Sequence, residues 1–258
     1  MIIAYALDMK PRTPTKKAAP SPLWPMRINK YLAQKGLSTR RGADALVTKG
    51  QVLINGKKAA LGDMVNEKDA VIVKNSPTAH DFKYIAFYKP KGIITHSPQG
   101  NEVDIKQYLS KNKQLRDLFP IGRLDKASHG LLILTNDGRI TDRLLSPEKI
   151  HEKEYTVETV QRLRPSFKEH MEKGVRLEDS MTKPCKVQIM GENTFRIILT
   201  EGKKHQIRRM VSAMHNEVAD IKRIRIMNIK LGNMKPGETR TIAGNERKQF
   251  LESLGLIA

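Results

Sequence analysis

The residue best placed to do chemistry is Asp125, which stands between two basic residues, Arg123 and Lys126. Cations close to a carboxyl group favour its ionised form, and an ionised carboxylate is a usable nucleophile. The stretch 119–130 has the composition of a loop, and it leads directly into the apolar run 131–134. The sequence therefore predicts a carboxylate on a loop that precedes a strand. The residues alone leave an alternative open, since Asp in a loop also organises turns through its own backbone hydrogen bonds.

Other kinds of catalytic site have little support in the sequence. A phosphate-binding loop of the nucleotide-hydrolysing type ends in Gly-Lys followed by Ser or Thr, whereas the pairs 56–57 and 202–203 are each followed by Lys. The spaced glycines of a dinucleotide-binding turn are missing as well. The run 151–155 begins like the helix of a zinc protease, but Tyr155 occupies the position of the second histidine. Metal catalysis is therefore not expected.

The composition indicates a polyanionic partner. The 258 residues include 47 Lys and Arg against 27 Asp and Glu, which gives a formal net charge of +20. A broadly basic surface neutralises backbone phosphates and releases their counterions, so nucleic acid is the favoured partner. An anionic membrane is the competing polyanion, but no stretch approaches the roughly 20 apolar residues that span a bilayer.

The cysteine content and the first residues bear on location. A single cysteine, Cys185, excludes an internal disulfide and any site built from several cysteines, and it fits a reducing compartment. Residues 1–7 lack a basic leading segment and are followed by Asp8, so they do not make a typical secretion signal. We therefore expect a cytoplasmic protein that is not bound to a membrane, and we expect it to be a monomer.

The segment 1–25 is predicted to be a disordered basic arm. It contains five prolines among Lys, Thr, Ser and Ala, and such a mixture cannot bury enough apolar surface to fold. An organelle transit peptide is the alternative, although the segment has little amphipathic periodicity.

Local signals predict a small unit of two helices and a hairpin over residues 26–74. Apolar residues at helical spacing form the first helix, which Gly36 can end. Ser38 can cap the second helix, which ends at Gly50. Asn55 and Gly56 form the turn of a hairpin because both tolerate positive φ. Further short strands are predicted at 65 and at 71–73.

The small unit is itself basic, since residues 27–74 contain ten Lys or Arg and four Asp or Glu, a net charge of +6. Arg40 and Arg41 stand at the start of the second helix, where the helix dipole favours anions. We expect these two arginines and Lys49 to contact phosphate. For any one of them, an ordinary solvated surface charge is an equal alternative.

Residues 82–258 mix strand and helix patterns without the regular alternation of a doubly wound fold. Strand patterns occur at 84–88, 93–94, 130–135, 154–160, 182–189 and 195–199, and helix patterns at 104–109 and 207–214. The stretch 84–94 is expected to form strand, turn and strand. We therefore predict an α+β domain on a mixed, largely antiparallel sheet.

The segments 27–32, 38–41 and 52–57 resemble the small RNA-binding module named after a ribosomal small-subunit protein. The resemblance covers most of the unit. It implies that the two helices present basic side chains to structured RNA.

Four blocks further along resemble, in order and spacing, the motifs of the RsuA/RluB/RluE/RluF group of pseudouridine synthases. They are 89–92, 122–138, 152–155 and 202–210, and the resemblance extends over about residues 26–245. Each block alone is weak, but their combination is highly specific. Lys126 after the Asp, with the stretches 182–187 and 225–228, is most similar to the RluF branch, which acts on large-subunit ribosomal RNA.

The resemblance implies that the protein isomerises a uridine of ribosomal RNA to pseudouridine without a cofactor, and transfer RNA is a second candidate substrate. Asp125 would initiate cleavage, by adding to the sugar or the base or by removing a ribose proton. Tyr155 would stack on the base and place its hydroxyl near carbon five. Arg208 would pair with Asp125, and Arg123 and Ile221 would belong to the substrate pocket.

The resemblance also implies which cations bind RNA. Lys126, Lys203, Lys204, His205 and Arg209 are the candidates for phosphate contacts, with surface charge as the alternative for one or two. The rival function is a catalytically silent RNA-binding or ribosome-assembly protein, which the charge and the small unit support equally. The four blocks favour the enzyme, because binding alone has no need for an Asp with a paired Arg and a stacking Tyr.

Overall fold

The computed structural model describes residues 24–38, 40–74, 82–96, 102–110, 112–146 and 148–257. All but the last two residues of the predicted arm 1–25 lie outside this part of the chain, as does the side chain of Arg41. Within the described residues, no helix has the length and apolar character needed to cross a bilayer.

The small unit has the two helices and the hairpin that the sequence predicts. The hairpin strands pair antiparallel across Asn55 and Gly56, whose φ values are 50° and 80°. A third strand joins the other side of the hairpin, and the first and fourth strands of the unit pair with each other. Its elements are β1 Met26–Arg27, α1 Ile28–Gln34, α2 Arg40–Thr48, β2 Val52–Ile54, β3 Lys57–Lys58, β4 Met64–Val65 and β5 Val71–Val73.

The larger region is built on one sheet with the strand order β10-β11-β9-β12-β8-β6-β14. The pairing of β12 with β8 is parallel and the other pairings are antiparallel, which confirms the predicted α+β class. The elements are β6 Tyr84–Lys89, α3 Ile105–Ser110, β7 Phe119–Ile121, β8 His129–Thr135, α4 Arg139–Leu145, β9 Lys153–Thr159, α5 Phe167–Lys173, β10 Lys186–Ile189, β11 Thr194–Leu199, α6 Gln206–Ala213, β12 Val218–Ile226, β13 Ile229–Lys230, β14 Thr239–Thr241 and α7 Gly244–Ser253.

Strand β8 is buried on both faces, which explains its uninterrupted apolar run. Leu131 and Ile133 pack in one cluster with residues of α4 and α7, whereas Leu132 and Leu134 pack with residues of α3. Successive side chains of a strand point to opposite faces, so these helices cover the two sides of the sheet. The stable position of β8 matters for function because the strand begins four residues after Asp125.

Two strand predictions are wrong. Residues 93–94 do not pair with β6, since Ile94 makes only an isolated bridge with Asp104, and β6 pairs with β8 and β14 instead. The chain turns away there because the Gly92 N–H donates to the carbonyl of Lys126, which draws the turn onto the loop of Asp125. The predicted strand 182–189 is shorter, since only β10 forms.

Candidate active site

Asp125 lies on a loop, residues 122–128, that joins β7 to β8, and we call this stretch the Asp125 loop. The side chain of Asp125 is 44% exposed, so an incoming ligand can reach its carboxylate. Its Oδ1 lies 3.6 Å from Nε2 of His205, a residue that precedes α6 with a left-handed φ of 50°. Asp125 therefore lies beside a histidine that the sequence assigned to RNA binding, and the two form an ion pair only when that histidine is protonated.

A buried lysine holds the Asp125 loop from beneath. Lys89 is fully buried at the end of β6, and its Nζ donates to the carbonyls of Pro90 at 3.0 Å, Asp125 at 3.2 Å and Ser128 at 2.7 Å. Burial lowers the pKa of Lys89 to about 8, although the nearby carboxylate of Asp125 acts in the opposite direction. Charge-assisted bonds of this kind fix the backbone on either side of the reactive carboxylate.

Two further contacts hold the loop from the segment that follows β6. The hydroxyl of Thr95, a buried residue, donates to the carbonyl of Leu124 at 2.8 Å and accepts from the Leu124 N–H at 3.1 Å. The Gly92 N–H donates to the carbonyl of Lys126 at 2.8 Å. The residues on both sides of Asp125 are thus hydrogen-bonded to the segment 92–95, which prevents the loop from shifting along the sheet.

Gly130 lets β8 and β12 approach closely just after the loop. It has a φ of +104°, and a Cβ at this position would fall 2.3 Å from the carbonyl oxygen of Arg223. A side chain is therefore excluded here by both the contact and the backbone conformation. The close approach brings Arg223 of β12 beneath the Asp125 loop.

Arg223 is only 3% exposed and holds both ends of the loop. Its Nε donates to the carbonyl of Leu131 at 2.7 Å, and its Nη1 donates to the carbonyl of Arg123 at 3.3 Å. No role for Arg223 was predicted from the sequence. The predicted pocket residue Arg123 contributes its backbone carbonyl to this contact, and its side chain is exposed.

Tyr155 lies on β9, opposite Arg223 of β12 in the antiparallel pairing. Directly opposed residues of such a pair point to the same face of the sheet, so Tyr155 shares its face with the arginine that supports the loop. Tyr155 is half-buried and packs against the cluster that contains Ile221, which is 4% exposed. The structure therefore groups Tyr155 and Ile221 on one side of the sheet.

The expected pair between Arg208 and Asp125 is not formed. Among the residues that the structure describes, Asp125 makes its ion pair with His205, and the Nη1 of Arg208 donates to the carbonyl of Val218 at 3.3 Å. Arg208 is the third residue of α6 and bonds the first residue of β12, whereas His205 precedes the helix and lies beside the loop. Helix register therefore selects His205 over Arg208 as the contact in this structure.

The cations expected to bind RNA fall into two groups. Arg40, Lys49 and Lys204 are exposed. The others already have protein partners: Lys126 with Glu102 at 2.8 Å, Arg209 with Asp179 at 2.5 Å, and Lys203 with the Ser180 hydroxyl at 2.8 Å and the Met181 carbonyl at 2.7 Å.

These partners change the interpretation of Lys203 and Arg209. Both hold the loop 179–181 in front of α6, and hydrogen bonds from Arg209 and Ser180 lower the pKa of Asp179 to about 2. A phosphate would have to compete with the Asp179 carboxylate for Arg209. Phosphate contact by these two residues stays a prediction, and in this structure their side chains brace the loop 179–181.

Sequence reasoning missed several residues that support the site. Lys89 belonged to a recognised block but had no assigned role, and neither Thr95 nor Asp220 was singled out. A buried Lys in a strand is a rare arrangement that needs a partner, yet the carbonyls it binds lie 36 and 39 residues away. Such a signal appears only when the strands are assembled.

Comparison with known proteins agrees with this architecture. The family described as RNA pseudouridylate synthase matches residues 83–213, and the S4 domain family matches residues 26–71. A crystal structure of a pseudouridylate synthase aligns with 89% of this chain and 99% of its own, with a TM-score of 0.64 and 26% identity.

Two relatives extend the match over most of the chain. The dual-specificity RNA pseudouridine synthase RluF of Salmonella typhi is 39% identical over 85% of this chain and 76% of its own length. The ribosomal large subunit pseudouridine synthase B of Bacillus subtilis is 31% identical over 87% of this chain and 95% of its own. The chain therefore belongs to the RNA pseudouridine synthase family and carries an S4 domain ahead of the catalytic region.

Proposed function

We propose that this enzyme converts a uridine of large-subunit ribosomal RNA to pseudouridine and that Asp125 starts the reaction. The placement of Asp125 carries the proposal: its carboxylate is exposed, while the backbone around it is held by buried Lys89 and Arg223. A nucleobase can reach such a carboxylate only when it is unpaired or flipped out of a duplex, at a cost of a few kcal/mol. Firm positioning of the catalytic group lowers the barrier of the step that follows.

The proposed reaction needs no external reactant. The bond between uracil N1 and ribose C1′ breaks, the base turns, and a bond forms between uracil C5 and C1′. C5 releases a proton and N1 takes one up, so atoms and charges balance. Asp125 initiates the cleavage, by adding to the sugar or the base or by removing a ribose proton. Tyr155 stacks on the uracil, which contributes about 1 to 3 kcal/mol, and its hydroxyl lies near C5.

Arg208 and Ile221 complete the proposed site. Ile221 is buried in the cluster against which Tyr155 packs, so it is suited to line the apolar side of a uracil pocket. Arg208 stands three residues after His205, and we propose that its side chain leaves the Val218 carbonyl and pairs with Asp125 when RNA binds. A bidentate guanidinium would then orient the carboxylate and keep it ionised.

The ribosomal substrate is supported by two relatives, one a ribosomal large-subunit pseudouridine synthase and the other a dual-specificity RNA pseudouridine synthase. We propose that the small basic unit selects the RNA through exposed Arg40 and Lys49, and that Lys204 contacts the backbone next to the catalytic site. Transfer RNA is the second substrate to be tested because of the dual-specific relatives. The enzyme is proposed to act as a cytoplasmic monomer.

The test compares wild-type enzyme, Asp125→Asn and the surface control Asp117→Asn, whose side chain is 82% exposed. Ribosomal and transfer RNA from cells that lack the protein serve as substrates, and pseudouridines are mapped by chemical labelling. Asp125→Asn should lower the rate by more than about 1000-fold while RNA affinity and Tm stay near wild type. A purified Asn variant that keeps substantial turnover would contradict the assignment of Asp125.

A further inference from the structure

A hydrogen-bonded cluster around Asp220 has no place in the site described so far, and we call it the Asp220 cluster. Its members are Asp220 of β12, His129 at the start of β8, Tyr88 of β6 and Lys91 of the turn after β6. Lys91 Nζ lies 2.6 Å from Asp220 Oδ1, and His129 Nε2 lies 2.9 Å from Asp220 Oδ2. The Tyr88 hydroxyl lies 2.8 Å from His129 Nδ1, and the two rings stack with centroids 5.6 Å apart.

The cluster lies on the side of the sheet opposite Ile221. Successive side chains of β12 alternate in direction, so Asp220 points away from the cluster that contains Ile221 and toward Tyr88, which packs with residues of α4 and α7. Arg223 supports the Asp125 loop from one face of β12. Asp220 is thus in position to support the same region from the other face.

Two irregularities in β12 isolate the segment that carries both residues. The register of β12 against β9 shifts between Val218 and Asp220 and again between Arg223 and Arg225. Bulges of this kind redirect side chains and occur frequently next to active sites. The run 220–223 between the two shifts therefore sends Asp220 to one face and Arg223 to the other.

The hydrogen bonds around His129 indicate its tautomer, whereas Lys91 meets Asp220 Oδ1 as an ion pair. An ionised carboxylate only accepts, so Nε2 of His129 carries the proton and Nδ1 accepts from the Tyr88 hydroxyl. Burial acts against ionisation of Asp220, but hydrogen bonds from His129 and Lys91 hold its pKa below the ordinary value. The carboxylate of Asp220 on β12 therefore connects this strand to β8, through His129, and to the turn after β6, through Lys91.

Each partner of Asp220 is adjacent in sequence to a group that holds the Asp125 loop. His129 follows Ser128, whose carbonyl accepts from Lys89 at 2.7 Å. Lys91 precedes Gly92, whose N–H donates to the carbonyl of Lys126 at 2.8 Å. Moving either partner would therefore move a contact that fixes the backbone on one side of Asp125.

We propose that Asp220 is a positioning residue for the pseudouridine synthase reaction, holding the end of the Asp125 loop through His129 and the preceding turn through Lys91. This inference rests on the proposed role of Asp125. It predicts a loss in the rate of the bound complex and little change in RNA affinity, because Asp220 contacts His129 and Lys91, which flank the segments that fix the loop. A displacement of about 1 Å in a catalytic group can cost on the order of 100-fold in rate.

The experiment measures single-turnover rate and RNA affinity for Asp220→Asn, Lys91→Met and the double variant, in the full-length enzyme. Asp220→Asn should slow the reaction by about 10- to 100-fold with affinity within about 2-fold of wild type. Lys91→Met should slow it less. The double variant should be no slower than Asp220→Asn alone, because the contact between Lys91 and Asp220 is already lost in either single variant. The control is Glu192→Gln, which neutralises a carboxylate in a pair whose two side chains are 75% exposed.

Several results would overturn the inference. A wild-type rate in folded Asp220→Asn would do so, as would a drop in Tm with no change in rate, which would indicate a purely structural role. If Asp220→Asn does not fold, Lys91→Met decides the matter, because Lys91 is 55% exposed and its loss cannot unfold the sheet. If Asp125→Asn remains active, the proposed function has failed. If Asp125→Asn is inactive but Asp220→Asn reacts at the wild-type rate, only the proposed role of Asp220 has failed.

Discussion

Replacing Gly130 by Ala tests whether the close approach of β8 and β12 sets the position of Asp125. The added Cβ would lie 2.3 Å from the carbonyl oxygen of Arg223 and 2.8 Å from its amide nitrogen, whereas ordinary contact begins near 3.4 Å. The two strands would have to separate by about 1 Å at the point where the Asp125 loop ends. Both contacts are with backbone atoms, so no flexible side chain can move aside.

The expected loss has two parts. The φ of +104° strains any residue other than glycine, at a cost of order 1 to 3 kcal/mol. Forcing the strands apart adds about 1 to 3 kcal/mol, as in other overpacked interiors. We expect Gly130→Ala to lose about 2 to 6 kcal/mol of unfolding free energy. Because the strain lies beside the loop, the rate should also fall by roughly 100-fold.

The assay combines thermal unfolding with single-turnover pseudouridine formation. Gly232→Ala is the matched control. Gly232 also lies in the larger region and has a φ of +62°, but an added Cβ would meet nothing within 4 Å. This control should lose about 1 to 2 kcal/mol and keep its rate. A Gly130→Ala enzyme with a rate within about 2-fold of wild type would refute the idea that strand approach positions the loop.

Two further predictions concern charge. The rate should decline near pH 8, because Lys89 has a pKa of about 8 and its charged hydrogen bonds to the loop carbonyls weaken when it loses its proton. Lys89→Arg should remove that decline. Between pH 8 and the ordinary lysine pKa of 10.5, the unfolded chain keeps a proton that the folded chain has lost, so the contribution of Lys89 to the unfolding free energy rises with pH while activity falls. Replacing Arg40 and Lys49 by Ala should weaken RNA binding and lower the salt slope by about 1 per residue. An unchanged slope would indicate that both are solvated surface charges.

The small unit was predictable because its signals are local. Gly36 ends the first helix and has a φ of 72°, and the Asn55-Gly56 turn connects two short strands as expected. In the larger region the apolar run of β8 was equally clear. The domain boundaries, 26–74 for the small unit and 82–258 for the larger region, stay a prediction that rests on local sequence signals.

Strand β12 was not predicted because its sequence contradicts a simple strand pattern. Lys222, Arg223 and Arg225 interrupt its apolar residues, and Arg223 is nevertheless buried. Carbonyls of Leu131 and Arg123, both about 100 residues away in the chain, accept from its Nε and Nη1, whereas its buried Nη2 has no partner among the described residues. No local window contains this information, so the strand became visible only with its long-range partners.

The identity of the reactive carboxylate was predictable from the resemblance, but its surroundings were not. Local physics could not separate Asp125 from an ordinary turn residue. The family motif also implied Arg208 as its partner, whereas the structure places His205 at 3.6 Å. The catalytic roles of Asp125, Tyr155 and Arg208 remain proposals for the variants described above to test.

Two buried cations, Lys89 and Arg223, lie beneath the Asp125 loop, where burial disfavours their charges. Lys89 and Arg223 are bound to backbone carbonyls and not to carboxylates, so their charges are not neutralised by an ion pair. Burial lowers the pKa of Lys153 and the charge of Arg223 lowers it further, which shows that each added cation is disfavoured. The carboxylate of Asp125 offsets part of this accumulation at Lys89, and the phosphate backbone of RNA is an external anion that would offset it further. The cluster therefore couples the holding of Asp125 to the approach of its substrate.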